Sequence, residues 1–230
     1  MEGLNELKNL IREKSILKHP FYKAWAVGLL SQEDLRRYAC QYYHHVRAFP
    51  TYVAGIIANC ESPRLRSILL ENLNDEEGST PTHLDLWVNF SQSLGLSRSE
   101  MESSEVYPET RNFVDSFKNL TRNSSAPIGA AALYAYESQI PAVAYEKIEG
   151  LKKYEYGSNL NVTFFAVHQE ADVRHTADLE KVVATAHPQE ETKAVAAVHQ
   201  ILNGWWGLLD GVLERSAELK EKVAACEMLQ

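Results

Sequence analysis

The sequence predicts an all-α fold. Three observations carry this: apolar residues recur at helical spacing along nearly the whole chain, proline and glycine fall singly between those segments, and the alternating pattern of a half-buried strand is scarce. About seven to eight helices are expected, packed as a bundle around one core. The 230 residues, 45% of them hydrophobic, suffice for a single domain spanning 1–230.

Leu4, Leu7 and Ile11 lie at helical spacing in an otherwise polar first segment. Ser31, with Asp34 three residues on, reads as a capping box opening a helix through Tyr38, Tyr42 and His45. Pro50 should bend or break that helix, because proline has no amide hydrogen to donate, with helical spacing resuming through Val53, Ile56 and Ile57. Ser62–Pro63 places a cap before a first-turn proline and starts a helix through Ile68 and Leu69 towards Glu76. Pro81 restarts a helix carrying His83, Trp87 and Phe90, and Ser97 with Glu100 marks another start. A further helix is expected from about Pro108 to Leu120. The last segments are long: Pro127 to Gly150, alanine-rich with Pro141 inside it, then Asn159 to Ala186, then Pro188 to about Leu219.

Composition narrows the function classes. The formal net charge is −8 and no lysine- or arginine-rich stripe is present, so neither nucleic acid nor an anionic membrane is an expected partner. No charged, then apolar, then small-residue leader opens the chain and no apolar run approaches 18 residues. Neither a secretion signal nor a membrane span is therefore expected. Cys40, Cys60 and Cys226 are an odd, widely spaced set with no CxxC pair, which fits a reducing cytoplasm better than a disulfide framework or a zinc site.

The sharpest chemical signal is the string VHQEADVRH, which holds His168, Asp172 and His175. Offsets of zero, four and seven put these side chains on one helix face over two turns. Two imidazoles and a carboxylate converging from one face suit iron, manganese or zinc; the alternative is a polar stripe on a solvated helix. In NDEEGSTPTH, Glu76 and His83 lie seven residues apart across the Gly78–Pro81 region. By itself that string reads more readily as a helix end with solvated acids and Gly78 as its cap. Glu137 sits among alanines, Leu133 and Ile140, in a helix expected to be buried on several sides. A carboxylate there is costly unless a cation or an arginine from elsewhere satisfies it.

Together these residues supply three carboxylates and three imidazoles from about four helices. Bundle dimetal proteins use such an inventory, and oxygen-rich ligation without thiolate suits iron(II) or manganese. Aromatic residues crowd the same regions and read mostly as core packing. His19, His44, His45, His187 and His199 read individually as structural or exposed.

At HPFYKAW, QYYHHVRAFP, NDEEGSTPTHLDLW, ALYAYESQIP, YEKI and HQEADVRH, the sequence resembles the chlamydial protein associating with death domains and its bacterial relatives, within the haem-oxygenase-like diiron oxidase superfamily. The strings run in family order from about His19 to His175. The resemblance implies a haem-oxygenase-like bundle, usually a homodimer, with a dinuclear centre of iron or of iron with manganese. Its metal ligands fall on Glu76, His83, Glu137, His168, Asp172 and His175, the six residues already singled out. The implied activity is a self-sacrificing, single-turnover synthesis of 4-aminobenzoate, the folate precursor, using dioxygen and an external reductant. Tyr22 in HPFYKAW would supply the ring, Lys147 in YEKI the amino group, and Tyr136, beside Glu137, would assist as a redox residue.

Lys147 lies ten residues beyond Glu137, about 15 Å along a straight helix, and a bend at Pro141 would shorten that gap. Without the resemblance Lys147 reads as a solvated lysine, like Lys152 and Lys153. Three other functions remain open at this point. These are an oxidase of the same scaffold acting on an external small molecule, a helical module that binds a protein partner, and a metal-free relative resembling the cofactor-independent quinone-forming oxidase.

Overall fold

The computed structural model describes residues 2–227, and no strand occurs among them. The helices are α1 (Glu2–Glu13), α2 (Pro20–Ala26), α3 (Gln32–Ala58), α4 (Pro63–Glu77), α5 (His83–Ser93), α6 (Arg98–Ser103), α7 (Pro108–Asn123), α8 (Ala126–Glu137), α9 (Ile140–Leu151), α10 (Thr163–Val183), α11 (Glu191–Glu214) and α12 (Ala217–Glu227). The count exceeds the seven to eight expected because short helices such as α2 and α6 separate from their neighbours and two long segments divide.

The starts are written in side chains that satisfy the first amides of each helix. Ser31 and Asp34 form the expected capping box, and Thr82 with Asp85 and Ser97 with Glu100 form two more. Ser62 caps α4 with Pro63 in the first turn, and Gly78 ends that helix.

Pro50 does not break α3. A mid-helix proline costs about 3 kcal/mol, but α3 runs through the middle of the molecule and buries most of its length, from Leu35 to Ile56. Packing on that scale outweighs one lost hydrogen bond. Pro141 acts differently. It cannot donate to the carbonyl of Glu137, and the segment expected as one helix divides into α8 and α9 at Ser138–Gln139. Gln139 holds the break: its amide donates to Ala135 O at 2.7 Å and accepts from Ile16 N at 2.9 Å. The last long segment likewise divides at Arg215–Ser216.

One continuous apolar core runs through the described residues, with Trp25, Trp87 and Trp205 fully buried in it. Helix α8 lies inside, packed by α7, α10 and α11, and every residue from Ala130 to Glu137 is buried. That is why an alanine-rich sequence is needed there: small side chains let three helices approach closely. Cys40 and Cys60 are free thiols, while the Cys226 side chain lies outside those described. No helix among the described residues is long and apolar enough to cross a membrane.

Candidate metal centre

The fold brings all six predicted ligands together, from four helices: Glu76 on α4, His83 on α5, Glu137 on α8, and His168, Asp172 and His175 on α10. They form two adjoining triads, Glu76–His83–His168 and Glu137–Asp172–His175, each with one ligand atom per residue within 4.8 Å of the others. All six side chains are buried. The solvated-stripe reading of α10 and the solvated reading of Glu76 are thereby excluded, although Gly78 does cap α4 as that second reading required.

Within the triads, His83 Nδ1 approaches Glu76 Oε2 to 2.9 Å without hydrogen-bond alignment, and the His83 and His168 rings lie 4.4 Å apart. His175 Nδ1 lies 3.3 Å from Asp172 Oδ1 and 4.0 Å from Glu137 Oε2. Both oxygens of Glu137 and the Nδ1 atoms of His83 and His175 are buried with no hydrogen-bond partner. No arginine reaches Glu137, so the arginine explanation for its burial fails. Lone pairs buried in this way fit divalent cations: such groups are tolerated when paired or metal-bound. The all-oxygen-and-nitrogen donor set suits iron(II).

Outer contacts aim these ligands. His168 Nδ1–H donates to the Phe164 carbonyl at 2.6 Å, leaving Nε2 as the lone-pair nitrogen. His175 Nε2–H donates to Asp75 Oδ2 at 2.9 Å, which turns Nδ1 inward, and Arg174 pairs with the same carboxylate. Burial pushes the Glu137 carboxyl up to about 8, helped by the nearby charges of Asp172 and Glu76. Burial alone would lower His175, but Asp172, Glu137 and Asp75 raise it to about 10. In the metal-free protein, protons therefore stand where cations would neutralise the site.

Beside the triads is a small cavity of about 20 Å³, lined in part by Glu76, Tyr136, Glu137, His168, Asp172 and His45. Burial drives His45 down to about 3, so its ring is neutral.

A second group of residues lies further in. The Tyr136 hydroxyl is hydrogen-bonded to that of Tyr42. Tyr42 stacks on Tyr38 with ring centroids 5.2 Å apart, and the Tyr38 hydroxyl lies 3.2 Å from that of Tyr22. Lys147 Nζ donates to the Tyr38 hydroxyl at 2.7 Å and stands 5.3 Å from the Tyr22 ring centre. Lys147 is 2% exposed, so it is not a solvated lysine. Burial among the rings of Trp25, Tyr42 and Phe165 carries its amine well below the usual lysine range. The break at Ser138–Gln139 sets the direction in which α9 delivers it.

Sequence reasoning missed Asn72, Asp75, Tyr38, Tyr42 and His45 as parts of this region. Asn72 stands one turn before Glu76, so helical spacing could have found it. The others carry no local signal, because their partners come from distant segments.

A family model described as iron-containing redox enzyme matches residues 36–206. The chain belongs to this iron-containing redox enzyme family. A curated member from Chlamydia muridarum, 4-aminobenzoate synthase, is 40% identical over 93% of this chain and 91% of the relative. The haem-oxygenase-like fold implied by the resemblance is borne out by solved structures. A TenA homologue from Pseudomonas syringae superposes with a TM-score of 0.80 at 17% identity, covering 92% of this chain and 93% of that one. A domain with a haem oxygenase-like fold from Shewanella denitrificans gives 0.70 at 18% identity, covering 91% and 90%.

Proposed function

We propose that this iron-containing redox enzyme makes 4-aminobenzoate from its own Tyr22, with Lys147 as amino donor, at a dinuclear centre held by the two triads. The observation that carries the reading is the placement of Lys147: a buried amine with no acidic partner, two contacts from the Tyr22 hydroxyl, in a chain 40% identical to a 4-aminobenzoate synthase.

The product's atoms specify what must happen. A tyrosine side chain already has the ring, a para oxygen and a benzylic carbon. Conversion requires cleavage of the Cα–Cβ bond, oxidation of Cβ to a carboxylate, and replacement of the para oxygen, which leaves as water, by the Lys147 nitrogen, whose bond to Cε breaks and leaves Cε as an aldehyde. Iron, or iron with manganese, bound by the six side chains would supply the oxidising power from dioxygen and an external reductant. The chain's own residues do the rest. Phe21, Trp25, Tyr38 and Lys147 hold the Tyr22 ring and exclude water. Tyr38 takes the Lys147 hydrogen bond, which holds the amine beside the Tyr22 ring. Tyr136, hydrogen-bonded to Tyr42 and adjoining Glu137 in sequence, stands between the ligands and the tyrosine row.

The runner-up, an oxidase for an external organic substrate, is less well supported. The cavity beside the triads has room for about one water-sized molecule and none for an aromatic ring. The deciding experiment loads protein grown on ring-labelled tyrosine with ferrous or ferrous plus manganous salt, then adds reductant and dioxygen. Labelled 4-aminobenzoate, at no more than one per chain, supports self-sacrifice; unlabelled product or many turnovers overturns it. The expected assembly is a homodimer, which light scattering checks.

A further inference from the structure

His45 is fully buried on α3, and neither ring nitrogen has a hydrogen-bond partner. Around it stand Phe49, Phe113, Phe117 and Tyr136, with ring centroids 4.7 to 5.7 Å away. A neutral imidazole carries one N–H and one lone pair, and buried polar groups in native proteins are as a rule paired. Packing alone would be served as well by phenylalanine.

The ring also lines the small cavity beside the triads. Of the polar groups around that cavity, Glu76, Glu137, His168 and Asp172 belong to the triads, and the Tyr136 hydroxyl is bonded to Tyr42. His45 is the one hydrogen-bond donor left without a commitment. The cavity volume of about 20 Å³ exceeds the 10–15 Å³ or so that one water needs, and an occupant of that size is a water or a diatomic gas.

We infer that His45 donates a hydrogen bond to dioxygen held in this cavity against the metal ligands. The inference rests on the proposed dioxygen-dependent metal chemistry but not on the identity of the product. It assigns a function to a residue that its sequence context presents as structural.

The test uses iron-loaded, reduced, full-length protein with nitric oxide as the diatomic probe, read by infrared spectroscopy. In the wild type the N–O stretch should respond to exchange into heavy water. In His45→Phe that response should vanish and the stretch should move, with iron content and melting temperature unchanged. His45→Gln, which restores an N–H donor, should bring the stretch back towards the wild-type value. The dioxygen concentration for half-maximal single turnover should rise roughly fivefold to tenfold in His45→Phe, as expected for one lost hydrogen bond. An unchanged stretch in His45→Phe, or a wild-type stretch indifferent to heavy water, would overturn the inference. If the spectroscopic changes occur but no protein yields 4-aminobenzoate, the product assignment fails and the role of His45 stands.

Discussion

Lys147 Nζ and the Tyr22 hydroxyl meet at the same atom, the Tyr38 oxygen, at 2.7 Å and 3.2 Å respectively. Nothing acidic pairs with the amine; its surroundings are aromatic rings. An ammonium in such a place loses its hydration without gaining a counter-ion, so the neutral amine is favoured. A protein gains no stability from burying a lysine in this way, which is the argument for a chemical role.

Tyr22→Phe should abolish 4-aminobenzoate while leaving the fold. The ring stays packed, and the change removes one hydroxyl whose partner is Tyr38, at a cost of about 1 kcal/mol. Mass spectrometry of product together with a denaturant melt checks both halves. Unchanged yield from this variant removes the self-sacrifice reading.

Lys147→Met should abolish product and alter the pH dependence of stability in a defined direction. Burial depresses Lys147, so between its folded-state pKa and the ordinary lysine value the unfolded chain binds the extra proton. Stability from this group therefore rises with pH across that window, by up to about 1.4 kcal/mol per pH unit. Methionine removes the slope. Relative to wild type, the variant should be favoured more at pH 7 than at pH 9 in urea unfolding. An equal offset at both would show that Lys147 is charged in the fold.

Metal loading should release protons. Glu137, held up to about 8, and His175, held up to about 10, both retain protons at pH 7 that cations must expel. Proton release in weak buffer should exceed that at pH 9, where Glu137 has already ionised. Chelation should lower the melting temperature, since bound metal at about 100 times its dissociation constant contributes about 2.7 kcal/mol. On the proposed dinuclear reading, His175→Ala should reduce the metal content from two equivalents towards one.

Asn72→Leu should weaken metal binding at the Glu137 triad about 10- to 100-fold, the usual effect of losing an outer contact to a ligand. Asn72 is buried, its side-chain amide has no hydrogen-bond partner, and its nearness to Glu137 partly offsets the upward push of burial on that carboxyl. Isothermal titration with manganous ion measures this directly. Wild-type affinity would leave Asn72 as packing only.

Local patterns carried the helical class, most helix starts and the six candidate ligands, because capping, proline placement and one-face spacing are properties of neighbours in the chain. His168, Asp172 and His175 were legible as a set for that reason: one helix orders all three. Glu76 and His83 were legible as a pair but not as inward-facing, since a capped helix end looks the same in sequence whether it meets water or a core. Tyr22, Lys147 and Tyr136 were picked out by family resemblance, and geometry along a straight helix spoke against Lys147.

The amino-acid sequence by itself determined which segments coil, where they stop, and which side chains could bind a cation. Tertiary structure alone decided that Pro50 is tolerated, that Lys147 is dry and touches the tyrosine row, and that His45 faces a cavity. Those outcomes depend on desolvation and on contacts between residues far apart in the chain, and no short window of sequence contains either.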